Sequence, residues 1–162
     1  MKNSLHPTRN KLSAKVREGS VALLNQELAN LTDLHSQTLQ AHWNVRGRHF
    51  YQLHKLFEQL AGEVEEPLDD IAERASALGG SPQGTIRQAA AASKVPEYPP
   101  VKELHDEDHL TALADRYGFC ANSVRASIES ASAAGDADTA DLFTQISRML
   151  DKALWFIEAH DK

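Results

Sequence analysis

Two pairs of side chains have the spacing of metal ligands. His54 and Glu58 are four residues apart, and so are Asp69 and Glu73. Residues four apart on a helix share one face and can hold one cation together. At about 100° per residue, all four fall within an arc of roughly 100°. Surface carboxylates scatter more widely, although an i,i+4 acid pair is more often plain surface charge. His54 and Asp69 are fifteen residues apart, or roughly 22 Å along one helix, too far to share an ion within one chain. Two copies of the helix packed antiparallel about a two-fold axis bring 54/58 of one beside 69/73 of the other, giving two equal sites per dimer. His42 joins the first pair. It lies five residues before Gly47, and His54 lies seven after it. Antiparallel helices joined at that glycine set the two imidazoles side by side. The spacing thus predicts a site of His42, His54 and Glu58 from one subunit and Asp69 and Glu73 from the other. Mixed imidazole and carboxylate ligands suit Fe(II), Mn or Zn more than Ca or Mg. No Glu has a His three residues on, so the Glu-x-x-His signature of a di-iron site inside a bundle is missing.

Helices must carry these residues. Apolar stripes at steps of three and four run from Leu24 through Leu28, Leu31, His35 and Leu39 to His42. A second runs from Phe50 through Leu53, Phe57, Leu60, Val64, Leu68 and Ile71 to Ala75. A third links Leu110, Leu113, Tyr117, Ala121, Val124 and Ile128. A fourth links Leu142, Ile146, Leu150, Leu154 and Ile157. Gly47, Gly79-Gly80-Ser81-Pro82 and Gly135 end the first three. Residues 81–104, with Pro96, Pro99 and Pro100, form a long connection in which Thr85–Ser93 suits a short helix. Two long helices, a long crossover and two more define an all-α, ferritin-like four-helix bundle. Pro67 conflicts with the second stripe and predicts a bend near 63–67, because an interior proline removes a backbone hydrogen bond.

The chain has 162 residues, enough for one domain with a sizeable core. No apolar run approaches the ~18 residues of a membrane span, and the N-terminus lacks an apolar signal core. The single Cys120 excludes an internal disulfide, so a cytoplasmic location is expected. The net charge of −6 conceals an asymmetry. Residues 1–19 carry Lys2, Arg9, Lys11, Lys15 and Arg17 against Glu18 alone, a basic arm on an acidic body. That arm is read either as a phosphate-binding tail or as a solubilising one, and residues 1–12 are expected to be mobile.

The segment Ala41-His42-Trp43-Asn44-Val45-Arg46-Gly47, with Phe50, His54, Asp69 and Ala72-Glu73-Arg74, closely resembles the Dps family of starvation-induced mini-ferritins. Leu23-Leu24-Asn25, Leu113–Tyr117 and the run from Asp151 to Glu158 extend the likeness over nearly the whole chain. The resemblance implies a dodecameric hollow shell with a ferroxidase site at each two-fold dimer interface. It implies Fe(II) oxidation, preferably by hydrogen peroxide, ferric iron storage, and protection of DNA from oxidative damage. Carried over by position, the ligands are His42, His54, Glu58, Asp69 and Glu73, with Zn or Mn as alternative occupants. Glu58 stands where Asp is usual and reaches one methylene further. Many members bind DNA without sequence preference through a basic terminal arm, which would make this chain nucleoid-associated. The alternative is iron storage and peroxide removal without DNA. Trp43 suits either the trapping of stray oxidising equivalents or interface packing. Acidic pores at three-fold axes make Asp136, Asp138 and Asp141 candidates for iron entry, with helix capping as the competing role.

Overall fold

The computed structural model describes residues 5–160, apart from the side chain of Glu103. Its long helices are α1 (Ala14–Asn44), α2 (Phe50–Ala77), α4 (Asp106–Ala134) and α5 (Ala137–Glu158). The crossover between α2 and α4 holds the short α3 (Ile86–Ala92) and a 3-10 turn, Val101–Glu103. Helix α1 packs most extensively on α2, and α4 on α5, while α1 also contacts α4 and α3. This is the bundle with one crossover that the stripes predict. Helix α1 begins at Ala14, where the Ser13 hydroxyl accepts a hydrogen bond from the Val16 N–H at 3.3 Å.

The core is built from the predicted stripes, with one shift of face. Leu24, Leu28 and Leu31 are buried, but α1 continues inward through Leu34, Thr38 and Ala41 rather than His35, Leu39 and His42. A straight helix of 3.6 residues per turn drifts against a repeat of seven, so the core face moves off the histidines. That leaves His42 half-buried at the margin. Leu53, Phe57, Leu60, Val64 and Ile71 of α2 and Leu113, Tyr117 and Val124 of α4 are buried, as are Phe143, Ile146 and Leu150 of α5. Helix α2 runs unbroken through Pro67. The apolar face holds it together on both sides, which is enough to tolerate the roughly 3 kcal/mol cost of an interior proline.

Several polar groups inside the bundle are paired across helices. The Tyr117 hydroxyl lies 3.2 Å from Thr38 Oγ1 and donates to the Leu60 carbonyl at 3.4 Å, joining α4, α1 and α2. Glu27 is buried and accepts from Ser123 at 2.8 Å, Ser127 at 2.9 Å and Asn30 at 3.2 Å. The crossover is fastened to α1 by Gln26 to the Ala92 carbonyl (3.0 Å), Ser93 to Asp33 (2.6 Å) and Gln37 to the Pro96 carbonyl (3.1 Å). Arg116 reinforces it by donating to the Glu97 carbonyl.

Candidate metal centre

The turn between α1 and α2 sets the first half of the site. Gly47 has φ of +131°, a conformation that side chains disfavour. A Cβ there would also stand 2.8 Å from Asp106 Oδ2. The same carboxylate accepts the His49 N–H at 3.3 Å, so the turn is pinned to the start of α4. Hydrogen bonding to the His49 N–H holds the Asp106 carboxyl below its usual range, which keeps it an acceptor.

Helices joined this way place His42 against His54. Their rings stack with centroids 3.9 Å apart and an interplanar angle of 19°. Each ring bonds to the other residue's backbone: His42 Nδ1 to the His54 carbonyl at 2.9 Å, and His54 Nδ1 to the His42 carbonyl at 2.9 Å. A carbonyl oxygen only accepts, so both Nδ1 atoms carry hydrogen. In the neutral rings both Nε2 atoms are then left with their lone pairs. A backbone carbonyl fixing the remote ring nitrogen is the usual support of a metal-bound histidine. Phe50 covers another side of His54 at 5.1 Å between centroids.

Glu58 stands one turn beyond His54, and its Oε2 accepts from Lys55 Nζ at 2.6 Å. The Lys55 ammonium, by hydrogen bond and charge, holds the Glu58 carboxyl below its usual range. Asp69 and Glu73 project from the far part of α2 and are exposed. Among the described residues no three His, Cys, Asp or Glu side chains converge on one point. The candidates of one chain thus stand in two separate groups, His42, His54 and Glu58 at one place and Asp69 and Glu73 at another. Trp43 (66% exposed) and Tyr51 (67% exposed) stand beside the histidine half-set.

The pore candidates separate. Asp136 is fully buried and caps α5. Its carboxylate accepts from Ser20 Oγ (2.6 Å), Thr139 Oγ1 (2.7 Å), the Thr139 N–H (3.2 Å) and Arg74 (2.6 Å). Burial alone would push its pKa up, but the hydrogen bonds from Ser20 and Thr139 and the Arg74 guanidinium outweigh it and hold the group low. A carboxylate so enclosed cannot line a pore, and capping is its role. Asp138 and Asp141 are exposed, with Asp138 3.6 Å from Arg74.

The basic segment is also placed differently from expectation. Lys15 and Arg17 belong to the first turn of α1. Arg17 donates to the Leu78 carbonyl at 2.8 Å and the Leu12 carbonyl at 3.3 Å, so it is a strut between α1 and the end of α2 rather than a free cation. Residues 5–12 are strapped to the body: the His6 N–H donates to the Gly79 carbonyl at 2.7 Å, and Leu5 and Leu12 pack on the core. Arg9, Lys11 and Lys15 are exposed, and Lys2 lies outside the described residues.

Sequence pattern alone assigns no role to Arg74 or Lys55. The i,i+3 spacing of Lys55 and Glu58 was the available signal for one. Nothing local announces that Arg74 meets Asp136, 62 residues later.

A four-helix bundle with a single long crossover is the ferritin-like architecture. The ferritin-like domain family matches residues 21–162. A DNA protection during starvation protein from Agrobacterium fabrum is 41% identical over 156 residues, which is 96% of this chain and 95% of that one. Among solved structures, DpsC from Streptomyces coelicolor superposes with a TM-score of 0.93 at 30% identity, covering 99% of this chain and 93% of its own. DpsA14 from the same organism gives 0.89 at 33% identity, covering 96% and 93%. The chain belongs to the Dps family of ferritin-like proteins.

Proposed function

We propose that this protein is a ferroxidase of the mini-ferritin kind. Two subunits related by a two-fold axis share two sites. Each takes His42, His54 and Glu58 from one subunit and Asp69 and Glu73 from the other. Fe(II) is the substrate, hydrogen peroxide the preferred oxidant, and ferric iron is stored inside a dodecameric shell. The same ligand chemistry accepts Zn or Mn. Removal of Fe(II) together with peroxide protects DNA.

The observation that carries this reading is the histidine pair, whose reciprocal bonds to backbone carbonyls hold both Nε2 atoms ready for coordination. The ligands act by coordination rather than proton transfer. Carboxylates offset the charge of two nearby cations and favour Fe(III) over Fe(II). Peroxide takes one electron from each of two irons, which avoids releasing a radical. Asp69→Ala is expected to abolish fast peroxide-driven Fe(II) oxidation while the shell stays assembled, as judged by light scattering. Unchanged fast oxidation would remove Asp69 from the site.

Non-specific DNA binding through the N-terminal segment is the second part of the proposal, with a nucleoid-associated cytoplasmic location. Arg9, Lys11 and Lys15 supply few charges per chain, but many copies on one shell would act together. The reading without DNA gains support from Arg17, whose guanidinium is engaged with two carbonyls.

A further inference from the structure

We infer that Lys55 is a built-in competitor of the metal, an ammonium that shares the Glu58 carboxylate with the incoming cation and so weakens the Glu58 side of the site relative to the histidine side. The inference rests on the ferroxidase reading above and deepens it.

Lys55 follows the ligand His54 directly in sequence, and its side chain turns back along α2 to Glu58. Nζ stands 2.6 Å from Oε2, a full charge-assisted hydrogen bond. Among the described residues Oε1 has no hydrogen-bond partner, so one oxygen of Glu58 is free to face a cation and the other is held by Lys55. The extra methylene of glutamate matters here. A helix places residues three apart on neighbouring positions of one face, and the longer carboxylate reaches along that face toward the lysine. Both side chains are about half exposed, which sets the scale. An exposed ion pair is weak, so it delays a divalent cation without excluding it. The positive charge also stays near the site after displacement and opposes the second cation more than the first. Lys55 thus orders loading. The position nearer the two imidazoles and the partner subunit's carboxylates fills first, and the position that needs Glu58 fills second.

The test is Co(II) titration of the assembled full-length protein, followed by the visible d–d absorption of the bound ion. Lys55 is exposed, so Lys55→Met leaves the fold intact. Lys55→Met should tighten the weaker of two Co(II) binding steps by about two- to tenfold, with the stronger step nearly unchanged. Lys55→Arg should keep the weaker step near wild type. In a Glu58→Gln background the Lys55→Met effect should vanish. Weaker or unchanged binding in Lys55→Met, or equal tightening with and without Glu58, overturns the inference. His54→Ala is the control for the parent reading. If it binds Co(II) as the wild type does, the site itself is wrong; if it loses binding while Lys55→Met has no effect, only the role of Lys55 is wrong.

Discussion

A site divided between two subunits makes a quantitative prediction about mixed shells. His54→Ala destroys the histidine half-set of its own chain and leaves that chain's Asp69 and Glu73 intact. Asp69→Ala does the reverse. Neither protein alone has a complete site, because every site pairs one damaged half with one sound half. In a heterodimer one site combines two damaged halves and the other combines two sound ones, so half of the sites are restored. Random pairing of equal amounts makes half of the dimers mixed. About a quarter of all sites should then be complete, and the fast phase of peroxide-driven Fe(II) oxidation should recover to about a quarter of the wild-type amplitude. The separation of the half-sets forces this result: His54 and Asp69 sit fifteen residues apart on one unbroken helix, roughly 22 Å along its axis. The assay is stopped-flow absorbance on co-expressed, co-assembled shells, with each single variant as the baseline. Recovery well below that fraction in shells proven mixed by mass spectrometry would refute the shared site. A fast phase in either single variant would remove its residue from the ligand set.

Two further outcomes follow from the placed residues. Asp136→Ala removes a helix cap and leaves the largely buried Arg74 without its nearest carboxylate, a loss of about 3–5 kcal/mol. In thermal melts at fixed protomer concentration this lowers the midpoint by roughly 6–20 °C. Because the folded carboxyl of Asp136 titrates below its usual range, its contribution is fully present above about pH 4 and is lost as pH falls through the lower folded value. An Asp136→Asn difference that persisted undiminished at still lower pH would contradict that assignment. Removal of residues 1–12, which takes away Arg9 and Lys11, should weaken any shift of linear duplex DNA on a gel, and separately a change from low to high salt should abolish it, since sequence-independent contacts to phosphates are steeply salt-dependent. A shift left undiminished by both would place DNA binding elsewhere on the shell.

The bundle was legible because its helices are amphipathic over their whole length and its breaks are glycine and proline. The histidine pair was legible because a turn at Gly47 converts positions minus five and plus seven into neighbours. Other features depend on contacts distant in sequence. Lys15 and Arg17 read as an arm by charge, yet Ser13 starts α1 and the carbonyl of Leu78, 61 residues on, captures Arg17. Asp136 reads as a cap ahead of a pore residue, and Ser20 and Arg74, on two other helices, enclose it as one.

The proposed metal ligands obey a different rule from the core. Phe57, Leu60 and Val64 are fully buried within one chain, and their roles can be judged there. Glu58, Asp69 and Glu73 are exposed in one chain, where a solvated acidic face and half of a metal site look alike. What separates the two is the histidine pair. Imidazoles on a solvated face have no need of a fixed tautomer, yet here two rings stack and each spends its Nδ1 hydrogen on the other's backbone. That arrangement restricts side-chain rotation and leaves both Nε2 atoms free of that pairing, a cost that metal coordination at the proposed site would offset. On the proposed reading, completion of the site by the second subunit would couple assembly to catalysis, so that oxidation would be confined to assembled protein with a place to store its product.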